Sequence, residues 1–447
     1  MDPRITNNAP APAVVGVSTN GDAQDPNYSQ IKHKIHQKLI TDLDPNKLRG
    51  QNAERVRESL ENAINQLLFQ EAIVLPRPLR QSLVQDLCDE VLGFGPLEPL
   101  LADPTVSEIM VNSYQEVWVE RNGVLEETNV CFRDDNHIMA IVDKILAPLN
   151  KRIDESSPMV DARLPDGYRV NAIIPPLAVR GPAMTIRKFF NERFGMEDLV
   201  RTNTLSAETA EFLRACVASR LNILISGGTG SGKTTFLNAL SASIPPGERV
   251  VTIEDPAELQ LKGKHVVSLE TRPPNMEGKN QVTQRELVIN ALRMRPDRII
   301  VGEVRGGEAF DMLQAMNTGH EGSICTVHAN TPRDALARVE NMVLMAGYDL
   351  PVRAIREQVA SAIHMIVHIA RMRDGSRRIT HVSEVAGMEQ TTVTMQDIFV
   401  FDQEGISPEG KIVGKMVATG LRPRFVERIT QSGIQLRPDI FQRPGGW

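Results

Sequence analysis

The stretch that decides the fold is GGTGSGKTT, which runs from Gly227 to Thr235. Its first eight residues satisfy every fixed position of the phosphate-binding pattern GxxxxGK[ST]. An apolar, β-prone run, LNILIS at 221–226, precedes the loop, and a run of helical composition, FLNALSAS at 236–243, follows it. Because the pattern requires a loop between a strand and a helix, the sequence predicts a phosphate-binding loop at this position.

The residue types in this loop suit an anion. Glycines let the backbone curl so that successive N–H groups point inward, and the following helix adds the positive end of its dipole. We expect Lys233 to reach the β and γ phosphates of a nucleotide and the Thr234 hydroxyl to bind Mg²⁺. The predicted nucleotide-binding residues are Gly227, Gly228, Thr229, Gly230, Ser231, Gly232, Lys233, Thr234 and Thr235.

Length and composition describe a globular protein of several domains. The chain has 447 residues, of which 41% are hydrophobic and 24% are charged, and a chain of this length is expected to form two or three cores. A net charge of -6 gives no general electrostatic footprint for nucleic acid. We therefore expect no direct nucleic-acid partner.

The cysteines and the apolar stretches bear on the cellular compartment. The four cysteines stand singly, at positions 88, 131, 216 and 325, so neither a zinc site nor a disulfide framework is indicated. No apolar stretch approaches the roughly 20 residues that span a bilayer, and the N-terminus lacks the profile of a secretory signal. These features predict a cytoplasmic protein that reaches a membrane through partners.

Composition and periodicity divide the chain into five segments. The first is poor in large apolar side chains, the second has apolar residues at helical spacing, and the third has a period near two with turn dipeptides at Asn122-Gly123 and Asp166-Gly167. The fourth is polar and interrupted by glycine. The predicted division is a disordered tail (1–28), a helical bundle (29–103), an α/β domain (104–190), a linker (191–203) and the nucleotide-binding domain (204–447).

Carboxylates follow the next predicted strand. The run VVTI at 250–253 is followed by Glu254, Asp255 and, after two residues, Glu258. In a doubly wound sheet, ligands bind at the carboxyl ends of the strands, so one of these acids could orient or deprotonate the water that attacks the γ phosphate. The sequence alone leaves Glu254 and Glu258 both open for this role.

Two further predicted strands also carry candidate site residues. The run RIIV at 298–301 is followed by Glu303, which we expect to hold Mg²⁺ or its waters beside the phosphates. The strand predicted at 323–327 lies between His320 and His328, and one of these imidazoles could sense the γ phosphate by donating a hydrogen bond.

Arginines form two groups with different interpretations. An arginine ahead of the nucleotide-binding domain could reach the site of a neighbouring subunit and stabilise charge during phosphoryl transfer. The candidates for this role are Arg163, Arg169, Arg180 and Arg187. Arg293, Arg295 and the arginine-rich run at 371–378 are interpreted instead as structural or exposed.

Several separated motifs, taken together in this order, resemble one family. The segments are GGTGSGKTT, VTIEDPAELQL and NALRMRPDRIIVGEVRGGEAFDMLQAMNTGHEGSICTVHAN. They are similar to motifs of the secretion ATPase superfamily of type II and type IV systems, and most closely to those of its CpaF-type branch, the motors of tight-adherence pili. The resemblance extends from about Ile31 to the MQDIFVF segment.

The resemblance implies an architecture and a set of roles. It implies a RecA-like P-loop NTPase domain preceded by a smaller α/β (PAS-like) domain, a homo-hexameric ring, ATP and Mg²⁺ as cofactors, and inner-membrane platform proteins as partners. By motif, Lys233 and Thr234 correspond to Walker A, Glu303 to Walker B, and His320 and His328 to the His box. Glu258 corresponds to the catalytic glutamate, with Glu254 as the alternate. Arg169 and Arg187 correspond to the N-terminal-domain arginines that reach the nucleotide.

Two departures narrow the implied function. A tetracysteine zinc insert is missing and the two histidines stand eight residues apart, and both features favour the CpaF and type IV secretion branches. The leading hypothesis is an ATP-hydrolysing motor that powers assembly of a tight-adherence pilus at the bacterial inner membrane. The alternatives are a type IV secretion motor that moves protein or DNA, a nucleotide-gated scaffold with negligible hydrolysis, and a nucleic-acid translocase.

Overall fold

The computed structural model describes residues 26–42, 53–149, 151–188, 194–274 and 278–443. The chain divides into two compact units, Met1–Phe189 and Phe190–Trp447. Both units combine helices and sheets, so the predicted α/β fold class is confirmed.

The first unit begins with the predicted helical bundle. Its helices bury one apolar face each, and the side chains that meet include Ile35, Ile64 and Leu83, which are fully buried. This burial follows from apolar residues spaced one helical turn apart. The helices are α1 (Pro26–Asp42), α2 (Ala53–Gln70), α3 (Arg77–Leu92) and the short α4 (Glu98–Ala102).

The predicted end of the N-terminal tail is wrong by three residues. The tail was predicted over 1–28, but α1 starts at Pro26 and Tyr28 is buried in the bundle core. The Tyr28 hydroxyl donates a hydrogen bond to Asp86 Oδ2 at 3.0 Å. An aromatic ring buries enough apolar surface to order the turn that carries it. Residues 1–25 lie outside the described residues.

A six-stranded antiparallel sheet with one main helix completes the first unit. The helix, α5 (Asp135–Leu146), is capped by Asp134, whose side chain accepts from the backbone N–H of His137. The sheet order is β3-β2-β1-β6-β5-β4. The strands are β1 (Val106–Ser113), β2 (Glu116–Arg121), β3 (Val124–Glu127), β4 (Met159–Arg163), β5 (Arg169–Ile173) and β6 (Ala183–Arg187).

A nine-stranded sheet forms the second unit. Its order is β15-β14-β13-β12-β7-β11-β10-β8-β9, with parallel pairing from β12 to β9 and antiparallel pairing from β12 to β15. The strands are β7 (Ile223–Gly227), β8 (Val250–Glu254), β9 (Val266–Glu270), β10 (Arg298–Val304), β11 (Ile324–His328), β12 (Met365–Arg371), β13 (Arg377–Glu389), β14 (Thr392–Ile406) and β15 (Ile412–Ala418).

Helices cover both faces of this sheet. Alternate residues of β7 belong to different cores, since Ile223 and Ile225 pack in one and Leu224 packs in the other. A strand buried on both faces reads as a continuous apolar run, which is what LNILIS provides. The helices are α6 (Met196–Arg201), α7 (Ala207–Ala218), α8 (Lys233–Ser241), α9 (Gln284–Ala291), α10 (Glu308–Asn317), α11 (Pro332–Met345), α12 (Val352–Ala362) and α13 (Val426–Gln431).

The linker predicted over 191–203 contains a folded element of the second unit. Helix α6 occupies most of it, and Met196 and Leu199 are buried in the same core as helix α7. The Gly195 N–H donates to Asp198 Oδ2 at 2.9 Å, which closes the first turn. The prediction is wrong here because the polar residues of this short helix face outward, while two apolar residues three apart suffice to anchor it. Residues 191–193 lie outside the described residues.

A buried polar network closes the edge of the sheet at which the parallel strands begin. The Asn222 side chain is fully buried; its amide donates to the carbonyl of Ala362 (2.7 Å), and its Oδ1 accepts from the N–H of Gly322 (2.8 Å). The N–H of Asn222 donates to Nδ1 of His364 at 3.0 Å. These bonds satisfy backbone groups that would otherwise be costly to bury.

Protonation of His364 should destabilise the second unit. Burial and the nearby Arg428 charge lower the pKa of His364 to about 4, against the opposite influence of Glu321. An unfolded histidine titrates near 6.5, so the unfolded chain binds more protons between these two values. The stabilisation is therefore complete above pH 6.5 and is lost as the pH falls toward 4. We expect the free energy of unfolding to decrease by about 2 kcal/mol between pH 7 and pH 5 from this group.

Denaturant unfolding at a series of pH values measures this effect. His364→Asn keeps an acceptor for the Asn222 N–H but does not titrate, so its stability should fall less steeply with acid than that of the wild type. Parallel pH dependences for the two proteins would contradict the assignment.

Candidate active site

The phosphate loop lies at the carboxyl end of the central strand β7, between β11 and β12. It occupies residues 228–232, and α8 begins immediately afterwards at Lys233. Gly232 has φ of 96°, a left-handed conformation that favours glycine, and this turn starts the helix. Lys233 Nζ donates to the carbonyls of Gly227 (3.0 Å) and Gly228 (2.9 Å), so its ammonium group lies against the loop.

The two acids that the sequence left open have different surroundings. Glu254 is buried at the end of β8, and its Oε2 accepts the backbone N–H groups of Glu258 (2.7 Å) and Leu259 (2.9 Å). The Glu258 side chain is half-buried, and its Oε2 accepts a hydrogen bond from Thr234 Oγ1 at 3.4 Å. Glu258 therefore contacts the predicted magnesium ligand, whereas Glu254 holds the backbone that carries Glu258.

A glycine on the neighbouring strand makes room for Glu254. A Cβ atom added to Gly302 of β10 would stand 2.9 Å from Cγ of Glu254. Real Cβ contacts are essentially never this close, and the obstructing Cγ belongs to a side chain that two hydrogen bonds hold in place. Gly302 thus allows the buried carboxylate to lie across β10.

The predicted Walker B acid, Glu303, lies within β10 rather than after it. The register between β10 and β11 shifts between Val301 and Val304, so Glu303 sits at a bulge, a feature that redirects side chains near active sites. Its Oε2 accepts from Arg305 at 2.7 Å. Burial would lower the pKa of Arg305, but its hydrogen bond to Glu303 and the negative charges of Glu303, Asp255 and Glu258 raise the pKa overall.

Of the two predicted histidines, only His328 lies at this edge of the sheet. His328 is the last residue of β11 and is the register partner of Gly227. His320 precedes the same strand, and its Nδ1 lies 3.0 Å from the carbonyl of Pro296, which precedes β10. A strand of five residues spans roughly 15 Å and separates His320 from the phosphate loop of the same chain, and the role predicted for His320 stays a prediction.

A histidine that the sequence analysis did not consider lies directly behind the loop. The His368 side chain on β12 is buried, and its Nδ1 lies 2.8 Å from Oγ of Ser226, the residue before Gly227. Burial, with the charges of His381 and Lys233, lowers the pKa of His368 to about 4, against a backbone hydrogen bond to Asn330. The imidazole is therefore uncharged at neutral pH. Through Ser226 and Asn330 it connects strand β7 with the segment after β11, and it places no positive charge behind the loop.

Two arginines that were interpreted as structural or exposed also lie beside the loop. Arg377 Nε donates to the carbonyl of Gly230 at 3.2 Å. Nη1 of Arg371 lies 3.6 Å from the point where a Cβ of Gly230 would stand. The pairing of β12 with β13 brings them to this place, and a sequence that shows only the arginine-rich turn does not reveal which residues face the loop.

The arginines predicted to reach the nucleotide from the N-terminal part belong to the first unit. Arg169 on β5 and Arg187 on β6 are directly opposite each other, and Arg163 on β4 is opposite Arg169, so the three form a row across the sheet. Nε of Arg187 lies 3.5 Å from Oε1 of Glu108. The predicted role of Arg169 and Arg187 at the nucleotide stays a prediction.

The oxygen donors at the loop suit Mg²⁺ bound together with phosphates. Among the described residues, no group of three or more His, Cys, Asp or Glu side chains is arranged to hold a metal by itself. Mg²⁺ in nucleotide sites keeps several waters and takes one or two protein oxygens plus phosphate oxygens. The Thr234 hydroxyl fits this requirement as a direct ligand, and Glu303, near the end of the neighbouring strand β10, stays the predicted acid that holds the ion or its waters.

One structural finding bears on membranes. Within the ranges that the structure describes, no helix combines the length and the apolar character needed to cross a bilayer.

Sequence comparisons identify the family. The family model described as Type II/IV secretion system protein matches residues 90–406, and the model for the N-terminal domain of type II secretion system protein E matches residues 28–92. A protein of Mycobacterium tuberculosis named for conjugal transfer is 37% identical over 318 residues, which are 70% of this chain and 89% of that protein. The conjugal transfer protein TrbB of Rhizobium radiobacter is 36% identical over 319 residues, which are 70% of this chain and 91% of TrbB.

A third relative has a name that refers to secretion. The type IV secretion system protein PtlH of Bordetella pertussis is 37% identical over 311 residues, which are 63% of this chain and 91% of PtlH. The first family model covers well over half of this chain. The chain therefore belongs to the type II/IV secretion system protein family.

Proposed function

We propose that this protein is an ATPase that serves as a motor of a type IV secretion system. The observation that carries the proposal is the contact of the Thr234 hydroxyl with Glu258, whose backbone is in turn held by the buried Glu254. A phosphate loop with an acid positioned beside its magnesium ligand is suited to hydrolysis as well as to binding.

The residues at the site have separable roles in this proposal. The loop amides and Lys233 would bind the phosphates, and Thr234 and Glu303 would hold Mg²⁺ or its waters, which would supply positive charge to offset that of the phosphates. Glu258 orients the attacking water and accepts its proton, while Glu254 keeps Glu258 in place. His328 lies beside Gly227, where an imidazole can donate a hydrogen bond to the terminal phosphate.

The relatives favour a different transport function from the one that the sequence analysis put first. Two of the relatives reported above are named for conjugal transfer and the third for type IV secretion, and none of the three names refers to tight-adherence pili. Their names therefore support the alternative, a motor that moves protein or DNA.

The tight-adherence pilus motor of the CpaF type remains the second candidate. It is supported by residues 28–92, which match the N-terminal domain of type II secretion system protein E and whose described part belongs to the helical bundle. The alignments with the three relatives cover only 63–70% of the chain, so the names of those relatives describe the chain less completely than the family models do.

The motor is proposed to act as a homo-hexamer on an inner-membrane platform. ATP can drive a rearrangement only if it binds one arrangement of the two units more tightly than the other, because a ligand shifts an equilibrium by its differential affinity. Arg169 and Arg187 are proposed to supply part of that difference from the first unit.

Loss of the Lys233 charge should weaken nucleotide binding. We expect Lys233→Ala to reduce the affinity for Mg-ATP by about tenfold to a hundredfold, because a charge-assisted contact to the phosphates is lost. Isothermal titration calorimetry measures the affinity, and Lys264→Ala, which removes an exposed lysine elsewhere in the same unit, is the matched control. Equal affinities for Lys233→Ala and the wild type would contradict the assignment of the loop.

The roles of the two acids can be separated by amide substitutions. Glu258→Gln should bind ATP with nearly unchanged affinity but turn it over about a hundredfold more slowly, because the general base is lost. Glu254→Gln keeps an acceptor oxygen for the two backbone N–H groups, so its turnover should fall less. Steady-state phosphate release and ATP affinity are measured for both variants. A larger loss of turnover in Glu254→Gln than in Glu258→Gln would reverse the assignment.

Complementation of a deletion strain tests the transported cargo. A strain of the source organism that lacks the protein is supplied with the wild type or with Glu258→Gln, and protein export, DNA transfer and surface pili are scored in parallel. We expect export or transfer to be restored by the wild type alone, with pili unaffected. Loss and recovery of pili with normal export would instead favour the pilus motor.

A further inference from the structure

The turn between β12 and β13 lies beside the phosphate loop. β12 ends at Arg371 and β13 begins at Arg377, and these two residues are directly opposite each other in the ladder. Arg377 donates from Nε to the Gly230 carbonyl at 3.2 Å, and its Cδ lies 3.3 Å from where a Cβ of Gly232 would stand. Nη1 of Arg371 lies 3.6 Å from the corresponding point at Gly230. Both arginine side chains therefore lie against the loop, beside Gly230 and Gly232.

The turn that presents these arginines is held rigidly. The Asp374 side chain accepts from the Ser376 N–H (3.0 Å) and hydroxyl (2.7 Å), and its other oxygen accepts from the N–H of Ile412 on β15 (2.8 Å). These hydrogen bonds, with the side-chain bond from Ser376 first among them, lower the pKa of Asp374. A turn fixed to the neighbouring hairpin presents its side chains with little loss of conformational entropy when a ligand binds.

The charges of Arg371 and Arg377 favour the binding of an anion. Arg371 and Arg377 place two positive charges directly opposite each other on paired strands, next to the phosphate loop. An anion on the phosphate loop would be attracted by both charges. Guanidinium groups also match phosphate oxygens in geometry and stay charged at any physiological pH.

We propose that Arg371 and Arg377 bind the phosphate chain of the nucleoside diphosphate or triphosphate on the loop, as ligands from the same subunit. This inference rests on the proposed function, because it requires a nucleotide at the loop, and it adds two phosphate ligands to that site. The two arginines act in addition to Lys233 and are separate from the arginines of the first unit. Removing them lowers nucleotide affinity, whatever its effect on turnover.

The test compares three glutamine substitutions in the full-length protein. Arg371→Gln and Arg377→Gln are made singly and together, and Arg373→Gln, at an exposed position of the same turn, is the matched control. The affinities for Mg-ATP and Mg-ADP are measured by calorimetry at several salt concentrations, and thermal unfolding is measured without nucleotide.

The proposal predicts a specific combination of results. Each single variant should bind ATP and ADP about tenfold more weakly, the double variant more weakly still, and the affinity should depend less on salt, because a charged contact is lost. The Tm without nucleotide should change little, because both side chains are exposed. Arg373→Gln should behave like the wild type.

Three results would overturn the proposal. The first is a wild-type nucleotide affinity in the double variant, and the second is an equal loss of affinity in Arg373→Gln. The third is a loss of affinity together with a lower nucleotide-free Tm and an unchanged salt dependence. This third result would mean that the arginines only support the loop. If the wild type itself binds neither ATP nor ADP, the proposed function fails together with this inference. Binding by the wild type with no effect of the substitutions refutes the inference alone.

Discussion

The parallel pairing of β7 with β11 on one side and with β12 on the other is the constraint on which the candidate site depends. Parallel strands end at the same edge, so this pairing places Gly227 beside His328, and β10 and β8 bring Glu303 and Glu254 to that edge. The opposite edge is occupied by buried polar bonds centred on Asn222. One edge of the sheet therefore carries the candidate site, and the opposite edge carries buried hydrogen bonds that stabilise the fold.

The sequence allows the loop and its flanking strand to be predicted because both signals are local. The glycines and the lysine of GGTGSGKTT identify a phosphate-binding turn from nine consecutive residues. The apolar run LNILIS is typical of a strand that is buried on both faces of a covered sheet. The acids after β8 could be named but not distinguished, because Glu254 and Glu258 differ in what they contact and not in residue type. Only the direction of each side chain, which depends on the fold of the loop, separates them.

Three features could not be predicted from the sequence, for identifiable physical reasons. His320 and His328 flank one strand, and that strand carries them to opposite edges of the sheet, so only His328 lies beside the loop of its own chain. Helix α6 was missed because six residues give too short a pattern for helical periodicity to show. The loop-facing positions of Arg371 and Arg377 depend on the pairing of β12 with β7 and β13, a non-local contact that no window of sequence contains.

Gly302 shows how a residue without a functional group can become indispensable. A Cβ atom at position 302 would collide with Cγ of Glu254, and the carboxylate of Glu254 in turn holds the backbone of Glu258. Substitution of Gly302 would therefore be expected to impair activity much as substitution of an acid of the site does. The loss would not mean that Gly302 takes part in the chemistry. The two positions can be expected to evolve as a pair, since any bulkier residue on β10 would demand a shorter acid on β8.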